Sequence, residues 1–320
     1  MHSKPPSTFT AYSKTSFLKN KDLKFKYRHG VNKVYNFPVR NDDVFVVTFP
    51  RSGTTWTQEL VWLIANDFDF ETKGKLRYLN HIMIDKFAND AAKQEMINAV
   101  MTFPGEYLAS VKPIPSPRFI KTHMPLSLLP PNLLSTSKVV YVARDPRDVA
   151  VSFYYICRIL SKLNPIVDDF KQCWNLFLKD LIMWTPLFEH VKEAWKQRHH
   201  PNMLFLFYEE LSQDLPEVIR RVSAFLGKEV GDRDLRLLCQ HLSFDNFKQN
   251  PAVQLTDFEK LGLINEPDNF IRKGKVGGWR VFFDDEMQQQ AEAWIIENLK
   301  DTDLTFPSFK GAKSSNMIIR

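Results

Sequence analysis

In the segment Phe119-Ile120-Lys121-Thr122-His123-Met124-Pro125 a lysine and a histidine stand two residues apart at the end of a short apolar step. Residues i and i+2 of an extended chain point to the same side, so Lys121 and His123 reach one reaction centre together. An imidazole of ordinary pKa is neutral near pH 7 and takes up a proton, while an ammonium beside it stabilises growing negative charge. Taken alone, such a histidine is more often a surface or hydrogen-bonded core residue.

A second chemical feature is the string Thr48-Phe49-Pro50-Arg51-Ser52-Gly53-Thr54-Thr55-Trp56. It leaves an apolar run, turns through one glycine and enters a helical pattern carrying Gln58, Leu60, Val61, Leu63 and Ile64. Unpaired N–H groups at a helix start attract anions, and Ser52, Thr54 and Thr55 add hydroxyls while Arg51 adds a fixed charge. An ordinary capped turn is the plainer reading, because Ser and Thr cap helices anyway. A Walker loop would need a second glycine followed by lysine.

Two further stretches concentrate cations. Arg144-Asp145-Pro146-Arg147-Asp148 leads to Ser152, with Pro146 suited to a helix start and Ser152 one turn beyond Asp148. Arg144 and Ser152 join around a second phosphate, provided that the strand before Arg144 neighbours the one before Arg51. An ion pair of Arg144 or Arg147 with Asp145 or Asp148 is the alternative. Phe270-Ile271-Arg272-Lys273-Gly274-Lys275-Val276-Gly277-Gly278-Trp279-Arg280 reads as a basic, glycine-rich loop, either a clamp or a solvated turn.

The elements that position these groups follow from hydropathy. Runs 44–48, 139–143 and 203–207 predict buried strands, and each is followed by a helical pattern, over 55–66, 147–160 and 215–226. Strand-then-helix repetition implies an α/β fold: a single domain with a mostly parallel central sheet flanked by helices, whose ligands sit at the carboxyl ends of the strands. We expect a flexible segment over 1–24, the domain over 25–310 and a tail over 311–320.

The chain resembles the cytosolic sulfotransferases, whose phosphosulfate loop has the form Y-P-K-S-G-T-T-W, against Phe49 to Trp56 here. The family's R-[DN]-P-[KR]-D-x-x-x-S element matches Arg144 to Ser152, its R-K-G-x-x-G-[DN]-W-[KR] segment matches Arg272 to Arg280, and its K-T-H-[LM]-P segment matches Lys121 to Pro125. The resemblance implies a P-loop-like phosphosulfate-binding loop and 3′-phosphoadenosine 5′-phosphosulfate (PAPS) as co-substrate. Arg51, Ser52, Gly53, Thr54 and Thr55 would hold its 5′ side, and Trp56 would stack on the adenine. Arg144, Ser152, Arg272, Lys273 and Gly274 would close on the 3′-phosphate. Tyr208, Ser243 and Phe244 would lie beside the adenine, Phe244 forming the other face of a sandwich with Trp56.

By the same resemblance His123 is the general base of an in-line transfer, with Lys121 and Arg51 stabilising the sulfuryl and leaving oxygens. The acceptor is then a small apolar alcohol or phenol, taken up near Phe103-Pro104, Phe153-Tyr154-Tyr155 and Asp257 to Ile264. An allylic alcohol, once sulfated, would also be able to eliminate, giving net dehydration. Four departures stand out. Arg51 replaces the usual lysine, and a guanidinium fork does not copy a compact ammonium. Leu242 replaces a threonine, removing a polar contact, and Gly278 replaces an acidic or amide residue, which predicts a looser clamp. Asp284, Asp285 and Gln289 occupy the Thr, Val and Glu positions of the family's dimer signature, so a monomer or a dimer built elsewhere is expected.

Bulk properties narrow the rest. Lys and Arg number 43 against 37 Asp and Glu, a formal net charge of +6, which suits an anionic ligand or a mildly basic surface. The cations form no nucleic-acid signature, so a nucleic-acid-binding protein is the weaker alternative of a different class. No paired carboxylates suggest Mg²⁺, and no metal is expected. Cys157, Cys173 and Cys239 form no C-x-x-C pair, so a reducing compartment fits best. No apolar run approaches the roughly 20 residues of a membrane helix, and the first residues lack a signal peptide's apolar stretch, so the expected location is cytoplasmic.

Overall fold

The computed structural model describes residues 32, 34–70, 116–159, 169–182, 184–250, 253, 271 and 274–309. Arg272, Lys273, Phe103, Pro104 and the stretch from Asp257 to Ile264 therefore lie outside the described residues.

Strand β1 (Val44–Thr48) is apolar at every position but the last and buried on both faces, which is what a central parallel strand requires. It runs into α1 (Thr54–Ala65). After β2 (Phe119–Thr122) come a 3₁₀ turn (Leu126–Leu128) and the short α2 (Leu133–Thr136). Next are β3 (Lys138–Ala143), α3 (Pro146–Ile159), α4 (Phe170–Leu178) and α5 (Leu187–Lys196). β4 (Met203–Phe207) leads directly into α6 (Tyr208–Gln213) and then α7 (Leu215–Leu226). The chain closes with α8 (Asp232–His241), α9 (Phe244–Gln249), a second 3₁₀ turn (Gly278–Val281) and α10 (Asp285–Leu299). The predicted first and second helices each begin and end one residue earlier than expected, at Thr54 and Pro146.

The four strands lie in the order β2-β1-β3-β4 and all pair in parallel. Alternation splits the core. Phe45, Val47, Val139 and Tyr141 face one apolar layer with residues of α3, α4, α5 and α10. Val44, Val46, Val140 and Val142 face the other, with α1, α7 and α8. β1 leads towards β2 on one side, whereas β3 leads to β4 on the other, so the strand order reverses between β1 and β3. In open α/β sheets that reversal opens a crevice at the carboxyl edge. Thr48 of β1 is in register with Val142 of β3, which brings the loops after both strands side by side.

Candidate active site

The loop after β1 is built for close approach. Gly53 is the N-cap of α1 with φ 98° and offers no side-chain cap, so the first N–H groups of the helix are not taken by a Ser or Thr side chain at that position. The plain capped turn is thus not what forms. A Cβ at Gly53 would meet Tyr208 Cδ2 at 2.7 Å, which only glycine avoids. Arg51 also holds a positive φ of 75°, a conformation that disfavours a side chain by about 1–2 kcal/mol. Its carbonyl accepts from Arg144 Nη1 at 3.1 Å and its Nε donates to Ser152 Oγ at 3.0 Å. The segments after β1 and β3 meet as the neighbouring-strand condition required.

At the start of α3 the ion-pair alternative proves true of one arginine only. Asp145 takes Arg147, with 2.6 Å between Arg147 Nη2 and Oδ2, and also the Ser308 hydroxyl. Arg144 instead lies over the Tyr208 ring, 4.1 Å from its centroid, and its Nε is buried without a hydrogen-bond partner among the described residues. Asp148 accepts from the main-chain N–H of Gly277 at 2.7 Å and of Trp279 at 3.0 Å. The Gly278 departure is therefore bridged by a carboxylate from α3, which holds the loop on both sides of the glycine. Burial raises the Asp148 pKa, while Arg144 and these N–H bonds oppose the rise.

Tyr208 joins these parts. It is buried, its ring packs against Gly53, and its hydroxyl donates to the Gly274 carbonyl at 3.0 Å. Trp56 donates its indole N–H to the Leu242 carbonyl at 2.9 Å, so this contact runs through the main chain and needs no threonine. The rings touching Trp56 are those of Tyr208 and Phe247. Phe244 lies over Gly274 and leaves no room for a Cβ there. Ser243 donates its hydroxyl to Gln240 O at 2.8 Å.

Lys121 and His123 are close enough for the charge of one to act on the other. His123 Nδ1 lies 2.9 Å from the Thr48 carbonyl, which only accepts, so Nδ1 carries the proton and Nε2 the lone pair. Burial lowers the His123 pKa well below 6.5, and the charge of Lys121 lowers it further; the Thr48 carbonyl pulls the other way. Burial around the ammonium brings Lys121 down to about 8. The result is a neutral imidazole beside an ammonium at pH 7, which is the protonation state a base and its electrostatic partner need.

Three participants carried no sequence signal. Thr48 acts through its carbonyl. Trp184, in a left-handed conformation with φ 77°, sets its ring 5.7 Å from that of His123. His190 of α5 reaches the His123 carbonyl at 3.1 Å. Neither of these two rings belongs to a short motif.

The donors fit an anionic nucleotide: an uncapped helix start, hydroxyls at Ser52, Thr54, Thr55 and Ser152, an orphaned Arg144 Nε, and two glycines whose Cβ would block close approach. Residues 41–303 match the family model described as "Sulfotransferase domain". A curated relative, luciferin sulfotransferase of Photinus pyralis, is 33% identical over 287 residues, covering 87% of this chain and 77% of the relative. A crystal structure of retinol dehydratase with retinol and PAP is 48% identical, with TM-score 0.77 and 88% of each chain covered. Another, with androsterone and inactive cofactor PAP, is 46% identical, with TM-score 0.78 and 89% and 88% covered.

Proposed function

The chain belongs to the sulfotransferase family, and on that premise we propose that it uses PAPS to sulfate the hydroxyl of a small apolar alcohol or phenol, with His123 as general base. PAPS supplies the activated sulfuryl group and leaves as adenosine 3′,5′-bisphosphate (PAP). The observation that carries the reading is the meeting of His123, Lys121 and the Arg51 loop at adjoining strand ends, with the imidazole neutral and its Nδ1 proton committed to Thr48 O.

His123 Nε2 accepts the acceptor's hydroxyl proton as that oxygen attacks, and the resulting imidazolium shares its other proton with the Thr48 carbonyl. Lys121 and Arg51 place positive charge where the sulfuryl and bridging oxygens gain negative charge. Ser52, Thr54, Thr55 and the start of α1 hold the 5′ side, and Arg144 and Ser152 the 3′-phosphate, with Arg272 and Lys273 assigned there from their motif. Trp56, Tyr208, Ser243, Phe244 and Gly274 enclose the base. Tyr155 of α3, with the half-buried Trp184, supplies aromatic surface for an apolar acceptor, while Phe153 and Tyr154 of the same expected segment are buried in the core. Three free thiols accord with a cytosolic location.

The two retinol dehydratase structures support a second reading, sulfation followed by elimination from an allylic alcohol. A sulfate ester is a good leaving group, and losing it with a proton from carbon gives an added double bond, sulfate and, overall, the loss of water. An acceptor panel with labelled PAPS, followed by mass analysis, separates the readings. Label retained on the acceptor marks transfer; inorganic sulfate released in step with PAP, with a product lighter by one water, marks elimination. No PAP formation with any hydroxyl acceptor would overturn both.

A further inference from the structure

We propose that His190 is a positioning residue for the reaction, holding the main chain of His123 so that the imidazole presents Nε2 to the acceptor; this rests on His123 being the base. The His123 carbonyl can only accept, so His190 Nε2, 3.1 Å away, must carry its proton. Burial depresses the His190 pKa to about 4, so the ring stays neutral and its Nδ1 is an acceptor. Tyr141 OH lies 2.7 Å from that nitrogen and 3.3 Å from the His190 carbonyl, and its proton is shared between the two acceptors, the nitrogen being the nearer. Both side chains are buried, Tyr141 at 0% and His190 at 1% exposure. Tyr141 lies in the central strand β3, stacked on Phe205 at 5.1 Å. The directed chain thus runs from a rigid strand, through His190, to the catalytic segment.

The same helix grips that segment twice. One turn beyond His190, Glu193 accepts from Ser127 N at 3.0 Å and Ser127 Oγ at 2.8 Å. His123 and Ser127 are therefore both tied to α5. On its other flank His190 meets the ring of Phe49 edge-on at 5.8 Å. Phe49 directly follows Thr48, whose carbonyl fixes the His123 ring. The main chain and the ring of His123 are held by two groups that themselves pack together. A buried imidazole N–H needs an acceptor wherever it lies, and here that acceptor is the carbonyl of the base itself.

Two measurements test this. In the protein without ligand, ¹⁵N spectra of the imidazoles should show His123 as the Nδ1–H tautomer, and His190→Phe should convert that signal to a tautomer mixture. In kinetics, His190→Phe should lower kcat on an aliphatic alcohol by about ten- to a hundredfold while PAP affinity stays within about twofold. The same substitution in a His123→Asn background should cost less than about twofold, because the effect passes through His123. His190→Gln, whose amide N–H can replace the Nε2 donor, should restore most of the loss. Should His190→Phe fail to fold, Tyr141→Phe removes one hydroxyl and is held to the same comparison between backgrounds, with a loss of about fivefold expected. An equal loss in both backgrounds, or none in either, overturns the proposal. If His123→Asn itself keeps more than about a tenth of kcat, the base assignment fails and the positioning role falls with it.

Discussion

Arg51 donates its Nε–H to Ser152 Oγ across 3.0 Å, tying the anion loop after β1 directly to the helix that follows β3. The planar guanidinium spans this gap while its own carbonyl is held by Arg144. Replacing Arg51 by lysine keeps the charge and supplies a compact donor for the leaving oxygen. We expect Arg51→Lys to keep or raise turnover. A loss above about a hundredfold, some 2.7 kcal/mol, would show that the fork has a role of its own.

Arg144 lies at the crevice between β1 and β3 with Nε buried and unpaired among the described residues, and Ser152 stands beside it through Arg51. We assign a second phosphate on the ribose to these donors. PAP should therefore bind at least about tenfold more tightly than AMP, roughly 1.4 kcal/mol, by calorimetry. Equal affinities would remove the second site.

The pH profile follows from two lowered pKa values. Lys121 keeps its charge below about 8 and loses it as the pH rises through that value. His123 is neutral at all pH values above its own depressed pKa, which lies well under 6.5. kcat/KM should stay level from pH 6.5 to about 7.5 and fall above about 8. Lys121→Arg, which cannot deprotonate in this range, should abolish the alkaline fall. A fall of unchanged position in that variant would assign it to another group.

Asp284 accepts from Met287 N at 2.8 Å as the N-cap of α10, and Asp285 begins the helix. Across a two-fold axis these carboxylates would face their own copies. We expect sedimentation to show a monomer or a dimer indifferent to Asp285→Arg. A tight dimer broken by that change would contradict this.

Much of the architecture was legible because buried parallel strands are apolar throughout. The runs at 44–48 and 203–207 coincide with β1 and β4. The spacing of Lys121 and His123 placed both on one side of an extended segment, while their roles came from the resemblance to a family motif. What stayed hidden works through backbone or through long separations. The Thr48 and Leu242 carbonyls leave no trace in residue type, and His190 lies 67 residues from the carbonyl it holds. Asp148, beside two arginines in sequence, invited an ion pair, but the turn of α3 aims it at the N–H groups of Gly277 and Trp279. Gly278 was read as a loss because only the missing side chain was visible.

The measurement that bears most directly on the central assignment is the kinetics of His123→Asn beside its PAP affinity. The phosphates are assigned to the Arg51 loop, Arg144, Ser152 and the Arg272 segment, so binding of PAP should be nearly unchanged. Turnover on an aliphatic alcohol should fall by about 10²- to 10⁴-fold, in kcat rather than in the KM for PAPS, and by less on a phenol of low pKa. Retention of more than about a tenth of kcat on the aliphatic alcohol would contradict the account and turn attention to Lys121.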